Sequence, residues 1–427
     1  MVKGGEGGRM RQQNIALPNC RATDLMGESF VRSLIQHWGF APDTEMRVDR
    51  VIESGVAGHA PKYVFSVGPT QRLLFLGNAG RLWPSTERVE ARLSALERSA
   101  LAHPFGIGPS VLVPPVRTLN GAMTVVHEEV RYYLTSHISG CTLAEAVRCK
   151  HAHREGLMLL LAAATGAFHA CANAAGKGTL PMDDAATFWR DATTRCRKDF
   201  GDLAANRCNM GHMAGKWDPL KHCELARQAV VVLTFIIEDS SGRVTRLQAL
   251  PATWNHGDLQ MKNVMVDMGK ASCALAASAV SGTLDCGSLP PASLAVIDVT
   301  DGAYCSRLYD LFFLLAGGMD DAVDEAFVVD RHAVNHRFRA YFDAGGQPFS
   351  EEEILLLINA CTIKGLTVAQ YYIFWSPDSN ALALFEQAVR AALLICGPAK
   401  DDIRAAIREA QTEHRRVTGL TDPEGGH

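Results

Sequence analysis

One segment of the chain, from His256 to Asp267, constrains the fold more than any other. It reads HGDLQMKNVMVD, and a second apolar run, LAVI, later ends in an acid at Asp298. The runs VMV and LAVI are short, apolar and rich in β-branched residues, which predicts two short buried strands. The polar residues beside these strands would then sit on rigid supports at a strand edge.

An acid, an amide and a second acid in this order suit the transfer of a phosphoryl group from a nucleotide. Such transfer needs a carboxylate that orients and deprotonates the acceptor hydroxyl, and oxygen ligands that hold magnesium against the phosphates. Asp258 can be the carboxylate, and Asn263 and Asp298 can be the ligands. Each piece alone has a simpler explanation, since His-Gly-Asp is common in turns and an acid after an apolar run often ends a strand or caps a helix. Their order in one chain favours the catalytic interpretation.

These two segments resemble the catalytic segment of the aminoglycoside phosphotransferase and choline kinase-like group of small-molecule kinases. In that group the pattern is His-Gly-Asp-(Leu/Phe)-x-x-x-Asn, then an apolar strand, then Ile-Asp. The resemblance implies an α+β, bilobal protein-kinase-like fold, with a small antiparallel β-sheet lobe plus a larger, mostly α-helical lobe. It also implies ATP and Mg²⁺ as cofactors, Asp258 as catalytic base, Asn263 and Asp298 as metal ligands, and His256 as a buried organiser of the loop.

The resemblance also divides the chain into parts. Residues 1–24 are expected to be a flexible leader, since they begin MVKGGEGGRMRQQN, which is glycine-rich and polar. Residues 25–138 would be the N-terminal nucleotide-binding lobe, and residues 139–420 the C-terminal helical catalytic lobe. Residues 268–293, rich in Ala, Ser and Gly, separate the two predicted strands and are interpreted as an inserted surface loop without chemistry.

Hydrophobic periodicity predicts the positions of individual elements. Strands are expected at 47–52, 62–67 and 71–76, and helices at 27–40, 85–100, 157–174, 320–344, 350–372, 378–395 and 399–417.

In the small lobe, the resemblance implies two elements that contact the nucleotide phosphates. Gly55 and Gly58 lie between the first two strands, where a glycine-bearing loop would cover the phosphates with backbone N–H groups. Two glycines are a weak signal, and a plain turn is an equally good explanation. Glu90 lies where the group usually places a helix glutamate that pairs with a strand lysine.

The stretch RYYLTSHISGCTL resembles the connector that follows the small lobe in this group. Backbone groups of Ser136, His137 and Ile138 are therefore expected to meet the adenine edge. Thr142 and Glu145 have the spacing of a capping box, which predicts that a helix begins there.

The third strand departs from the group's pattern, because Leu76 stands where the phosphate-binding lysine is expected. A charge-assisted contact in a partly dry site is strong, so its loss would weaken phosphate binding. Lys62, Arg72 and Arg81 are the nearest cations that could replace it, and the sequence does not choose among them.

The missing lysine keeps a second function open, that of a pseudokinase acting as a nucleotide-binding or scaffold protein. A protein kinase is disfavoured, because Asp298 is followed by Val-Thr rather than Phe-Gly, and no Ala-Pro-Glu follows. Three other polar residues have structural interpretations. His169 is expected to be a packed histidine, Asp301 a turn residue, and Asp310 a helix cap that ties down the catalytic loop.

Composition narrows the function further. Of the 427 residues, 47% are hydrophobic and 21% are charged, and the net charge is −4. A protein that binds nucleic acid usually has a basic surface, and this net charge does not indicate one. The 12 cysteines form no Cys-x-x-Cys pair, and no signal peptide or long uninterrupted apolar run is evident. We therefore expect a cytoplasmic protein without a membrane partner. The resemblance implies that its acceptor is a small-molecule hydroxyl. The identity of that acceptor and the oligomeric state stay open.

Overall fold

The chain forms an early antiparallel sheet and a later set of helices. The computed structural model describes residues 21–52, 62–68, 72–78, 86–102, 110–128, 130–137, 140–149, 153–174, 187–208, 216–281, 284–285, 288–290, 292–298, 303–316, 329–374, 376 and 380–419. In chain order the elements are α1 (Arg21–Ile35), β1 (Met46–Ile52), β2 (Lys62–Val67), β3 (Arg72–Asn78), α2 (Thr86–Ala102), β4 (Ser110–Leu112), β5 (Pro115–Val116), β6 (Val125–His127), β7 (Val130–Ser136), β8 (Cys141–Thr142), α3 (Leu143–Arg148), α4 (Arg154–Ala174), α5 (Phe188–Ala204), α6 (Pro219–Glu238), α7 (Arg243–Ala249), β9 (Ala252–Asn255), β10 (Val264–Val266), α8 (Met268–Ser281), β11 (Leu294–Val296), β12 (Ala303–Ser306), α9 (Phe312–Leu315), α10 (Arg331–Asp343), α11 (Glu351–Phe374), α12 (Ala381–Cys396) and α13 (Lys400–Thr418).

The first sheet is antiparallel and has the order β1-β2-β3-β7-β5, with β6 paired to β7. Since successive side chains of a strand point to opposite faces, a spacing of two puts Tyr63, Phe65 and Val67 on one face of β2. These side chains are buried against α1. We call the set that they form the α1 cluster: Val31, Leu34, Ile35, Trp38, Met46, Tyr63, Phe65, Val67, Leu74, Val130, Tyr132 and Leu134.

A second, smaller sheet has the order β4-β11-β10-β8. Its centre is the antiparallel pair β10 and β11, in which Val264 lies opposite Val296. On its other side β10 pairs with β8, where Met265 lies opposite Thr142. The segment that follows β7 is therefore hydrogen-bonded to the strand that follows Asn263.

The helices surround a larger hydrophobic cluster, which we call the main core. It runs from Val89 on α2 through most of the helix α4 to Ala410 on α13. Two helices cross closely at Gly166 of α4, since a Cβ at this position would meet the backbone oxygen of Tyr341 on α10. The absence of a side chain at Gly166 thus lets α4 approach α10 closely.

Most predicted strands and helices lie within a few residues of the observed ones, but the inserted segment 268–293 does not. The prediction of a surface loop is wrong for its first half, because Met268–Ser281 form α8. The side chain of Asp267 begins the helix by accepting two backbone N–H groups of the first turn, at 3.0 and 3.3 Å. Ala271 and Leu275 are buried in the main core. Alanine has the highest helix propensity, so this run becomes a helix where one face can be buried.

Two other predicted boundaries change. Helix α1 begins at Arg21, inside the predicted leader 1–24, of which residues 1–20 lie outside the described part. The helix expected at 320–344 begins at Arg331, and residues 317–328 also lie outside the description.

By length and composition, Arg154–Asn173 and Glu351–Phe374 are apolar enough to cross a membrane, and the bent pair α12 and α13 would add a third if it counted as one span. The lack of a long uninterrupted apolar run in the sequence therefore did not exclude helices of this length and composition. However, 89% and 83% of the two apolar windows are buried inside the protein. The central position of both helices in the main core accounts for their composition.

Candidate active site

Asp258 lies in a tight loop between β9 and β10. Its carboxylate accepts a hydrogen bond from Gln260 Nε2 at 2.6 Å through one oxygen and from Asn263 Nδ2 at 3.0 Å through the other. About a quarter of the side chain is exposed. Two donors therefore fix the orientation of a carboxylate that still reaches solvent.

Asn263 connects Asp258 to the end of β11. Its Nδ2 also donates to the backbone oxygen of Asp258 at 2.7 Å, which leaves the side-chain oxygen as an acceptor. The backbone oxygen of Asn263 accepts the N–H of Ile297 at 2.9 Å, so the pairing of β10 with β11 continues to this point. Asp298 follows directly. The structure thus brings the three predicted chemical residues, Asp258, Asn263 and Asp298, to the same end of the β10–β11 pair.

Asp298 adopts a backbone φ of 59°, which is uncommon for a residue other than glycine. Its carboxylate lies 2.8 Å from Lys62 Nζ, and both side chains are about one-quarter exposed. Burial alone would raise the pKa of Asp298, but the ion pair with Lys62 and the nearby positive charge of Lys262 bring this pKa below its ordinary value. The carboxylate is thereby kept ionised, as a metal ligand must be.

His256 is fully buried and joins the two acidic segments, as the sequence predicted for an organiser of the loop. Its Nδ1 accepts the backbone N–H of Asp258 at 3.2 Å. The hydrogen of the neutral ring is therefore on Nε2, which donates to the backbone oxygen of Ile297 at 2.8 Å.

Asp310 binds the backbone of the loop that carries Asp258. Its carboxylate accepts the backbone N–H groups of His256 at 2.7 Å and Gly257 at 2.9 Å, and it also contacts His169 Nε2 at 3.4 Å. Burial opposes ionisation, but these donors and the two histidines lower the pKa of Asp310 below its ordinary value. The prediction that Asp310 ties down the loop is confirmed, whereas its predicted capping role belongs to Ser306, whose side chain accepts from Leu308 N at 3.4 Å.

The histidine below Asp310 is a packed residue, as expected. His169 is fully buried, and its Nδ1 lies 3.0 Å from the hydroxyl of Tyr341. It therefore supports Asp310 from the main core. Asp301, the predicted turn residue, lies outside the described residues.

The sequence reasoning missed two lysines near Asp258. Lys262 is half exposed, with its Nζ 3.6 Å from Asp258 Oδ2. Burial would lower the pKa of Lys262, but Asp258, together with Tyr371, Tyr372 and Asp298, raises this pKa above its ordinary value.

Lys364 is 4% exposed and lies on α11, beneath the same loop. Its ammonium donates to the backbone oxygen of Gly257 and lies 4.3 Å from the ring centre of Tyr309. A lysine inside the apolar run LLLINACTIKGL was a visible signal, because a buried cation needs a nearby partner.

Glu90 has a different role from the expected one. Its carboxylate accepts the backbone N–H groups of Met123 and Thr124, each at 2.9 Å, and the hydroxyl of Thr124 at 2.5 Å. It fixes the chain before β6 instead of pairing with a strand lysine, because the third strand offers none.

The other predicted nucleotide contacts are only partly described. Gly55, Gly58 and Ile138 lie outside the described residues. Ser136 ends β7, and His137 follows it with a pKa lowered by burial and by the charge of Arg50. The capping box of Thr142 and Glu145 is confirmed, with both reciprocal hydrogen bonds present.

Comparison with solved structures gives a fold to this arrangement. Plasmodium vivax ethanolamine kinase is 12% identical, with a TM-score of 0.50, and the match covers 90% of each chain. The chain therefore shares its fold with this kinase. An aminoglycoside phosphotransferase from Alicyclobacillus acidocaldarius is 15% identical, with a TM-score of 0.49 and coverage of 90% of this chain and 96% of that one. A spectinomycin phosphotransferase, in complex with ADP and spectinomycin, is 13% identical, with a TM-score of 0.44 and coverage of 86% and 98%. No family model and no curated protein matches the sequence.

The donor set at Asn263 and Asp298 suits a divalent cation. An amide oxygen and a carboxylate are hard ligands of the kind that Mg²⁺ prefers. Among the described residues no group of three His, Cys, Asp or Glu side chains could hold a metal. Asn263 and Asp298 would supply two oxygen ligands to such a cation.

Proposed function

We propose that the protein is an ATP- and Mg²⁺-dependent phosphotransferase that acts on a hydroxyl group of a small molecule. The observation that carries the proposal is the hydrogen-bonded convergence of Asp258, Asn263 and Asp298 at one end of the β10–β11 pair. The fold supports it, since the solved structure with a TM-score of 0.50 is named as an ethanolamine kinase.

In this proposal Asp258 orients the acceptor hydroxyl and takes its proton. The hydrogen bonds from Gln260 and Asn263 hold the carboxylate in one orientation, so the cost of ordering it is met before the acceptor binds. Lys262, 3.6 Å from the same carboxylate, lies where negative charge would build up on the transferring group.

Asn263 and Asp298 would hold Mg²⁺ against the nucleotide. When bound, the cation would neutralise charge on the phosphates. The low pKa of Asp298 supports this role, because its carboxylate is ionised over the whole neutral range. We propose that the acceptor is a small molecule with a hydroxyl group and that the protein acts in the cytoplasm, without a nucleic acid or membrane partner.

The test is ATP turnover over a library of hydroxyl acceptors, with Asp258→Asn compared with the wild type. The variant should keep its affinity for ATP and lose about 10²- to 10⁴-fold in transfer rate, the usual contribution of a general base. Asp267→Asn is the matched control, because it makes the same change at the other end of β10 and asparagine also caps helices well.

Equal transfer by wild type and Asp258→Asn would overturn the role of Asp258. If a thermal-shift assay shows that ATP binds and no acceptor is phosphorylated, the protein is a nucleotide-binding pseudokinase instead.

A further inference from the structure

The register of β3 bears on why the third strand carries no phosphate-binding lysine. In the ladder, Leu76 of β3 lies opposite Tyr63 on β2 and Leu134 on β7. Both of these partners pack in the α1 cluster. The position of Leu76 in the register is therefore on the side of the sheet that faces α1.

The next residue along β3, Gly77, lies on the opposite side. Its partner on β7 is Tyr133, whose side chain is buried in the main core rather than in the α1 cluster. A Cβ at Gly77 would run into the ring of Tyr133. A lysine at this position would require the buried ring of Tyr133 to move, so neither position of β3 supplies the cation without a rearrangement.

Lys62 of β2 directly precedes Tyr63. Because successive side chains of a strand point to opposite faces, Lys62 lies on the same side of the sheet as Tyr133. From there its Nζ reaches Asp298 Oδ2 at 2.8 Å, across 236 positions of sequence. The side chain is 23% exposed, so the ammonium is partly shielded and still accessible from the active site.

The other two candidate cations lie elsewhere or outside the description. Arg72 pairs with Val67, at the other end of β2, about 17 Å from Lys62 at roughly 3.4 Å per strand residue. Arg81 lies outside the described residues.

We propose that Lys62, carried on the second strand instead of the third, is the cation that binds the phosphates of the nucleotide. The inference rests on the proposed function. An ammonium has three donors, so Lys62 can keep its hydrogen bond to Asp298 and still donate to phosphate oxygens. Its bond to Asp298 also places it beside the cation site, where the charge of the phosphates is greatest. Gly77 and Tyr133 together explain why the lysine is on the neighbouring strand.

The experiment compares Lys62→Met with the wild type in two binding assays, one with ATP and one with adenosine, both in the presence of Mg²⁺. Methionine keeps most of the aliphatic stem and removes the charge. ATP affinity should fall about 10- to 100-fold, as for the loss of a charge-assisted hydrogen bond. Adenosine affinity should stay within twofold, because adenosine has no phosphate, and this also shows that the variant folds.

Two further variants complete the test. Lys62→Arg keeps the charge and should recover a large part of the ATP affinity. Lys270→Met is the matched control, since Lys270 is a half-exposed lysine that pairs with Asp267 at 3.6 Å on the helix after β10. It should bind ATP as the wild type does.

The outcomes separate the two proposals. If wild type binds ATP and Lys62→Met binds it equally well, the assignment of Lys62 is wrong and the proposed function stands. An equal loss of ATP and adenosine affinity in Lys62→Met also overturns it, since the effect would then be on the fold of the small sheet. If wild type binds no ATP, the proposed function fails, and the role of Lys62 fails with it.

Discussion

His256 Nε2 donates a 2.8 Å hydrogen bond to the backbone oxygen of Ile297, and this bond joins the two acidic segments of the active site. His256 lies two residues before Asp258, and Ile297 lies one residue before Asp298. A single buried side chain therefore sets the spacing between the proposed base and the proposed metal ligand. The ring also accepts the N–H of Asp258, so both of its nitrogens take part.

His256→Ala should reduce both stability and transfer. It leaves the oxygen of Ile297 and the N–H of Asp258 without this partner in a buried place, which costs about 1–3 kcal/mol in the free energy of unfolding. Urea denaturation and ATP turnover measure the two effects. His37→Ala, at an exposed histidine, should change neither. Unchanged turnover in His256→Ala would show that the spacing of the acids does not depend on this ring.

Asp310→Asn should destabilise the protein in a pH-dependent way. The carboxylate accepts two backbone N–H groups and contacts His169, whereas asparagine has a single acceptor oxygen and would set its own N–H₂ against a donor. The loss is expected to be about 3 kcal/mol, as for removing one partner of a buried charged network.

The sign of the pH dependence follows from the lowered pKa of Asp310. A folded-state pKa below the ordinary value of 3.8 stabilises the protein fully above that value, and this contribution is lost as the pH falls through the folded-state pKa. The difference in unfolding free energy between wild type and Asp310→Asn should be constant from pH 7 to about pH 4 and should narrow below it. A difference that widens in acid would contradict the assignment.

The local pattern of the sequence was sufficient to predict the limits of the strands and the positions of the polar residues beside them. Lys62–Val67 matches the predicted strand, because a short run of aromatic and β-branched residues bounded by turn residues indicates the limits of a strand. Asn263 and Asp298 could be located because each adjoins a short apolar run, and a strand fixes the position of the residue at its end. Asp258 was located by the His-Gly-Asp segment.

The contacts that depend on tertiary structure could not be read from the sequence. The pairing of Lys62 with Asp298 joins residues 236 positions apart, and it depends on the register of β2 and β3. Similarly, Lys364 was visible as a cation in an apolar helix, but nothing local indicated that its partner is the backbone of Gly257. Helix α8 was missed for another reason, since its Ala, Ser and Gly composition is shared by loops and only burial of one face decides between them.

Lys364→Met should slow phosphoryl transfer more than it weakens ATP binding. The ammonium holds the backbone oxygen of Gly257, next to Asp258, and its removal leaves that oxygen unsatisfied in a buried position. The loop should then hold the carboxylate less rigidly. Turnover measured at saturating ATP should fall at least about tenfold, the effect of roughly 1.4 kcal/mol, while the Kd for ATP should stay within about twofold. Lys400→Met, at an exposed lysine, is the control, and a matching fall in both quantities would point to general loss of structure.

Gly166→Ala should destabilise the protein far more than the same change at another helical glycine. A Cβ at Gly166 would collide with the backbone oxygen of Tyr341, so α4 and α10 would have to move apart. Overpacking of this kind usually costs about 1–3 kcal/mol. Gly201 of α5 is the matched control, since nothing lies within 4 Å of the position of its Cβ. Gly201→Ala should raise the free energy of unfolding by up to about 1 kcal/mol, because alanine favours a helix more than glycine does.

Thermal or urea unfolding of the two variants and the wild type measures these opposite changes in the free energy of unfolding. The collision at Gly166 involves a backbone atom that has no rotamer by which to move away, so relaxation requires a shift of the whole helix. Since Tyr341 also contacts His169, which supports Asp310 beneath the catalytic loop, that shift should reach the active site. Gly166→Ala should therefore lower turnover as well as stability, and Gly201→Ala should lower neither. A Gly166→Ala protein as stable as the wild type would show that the two helices are not in close contact at this point.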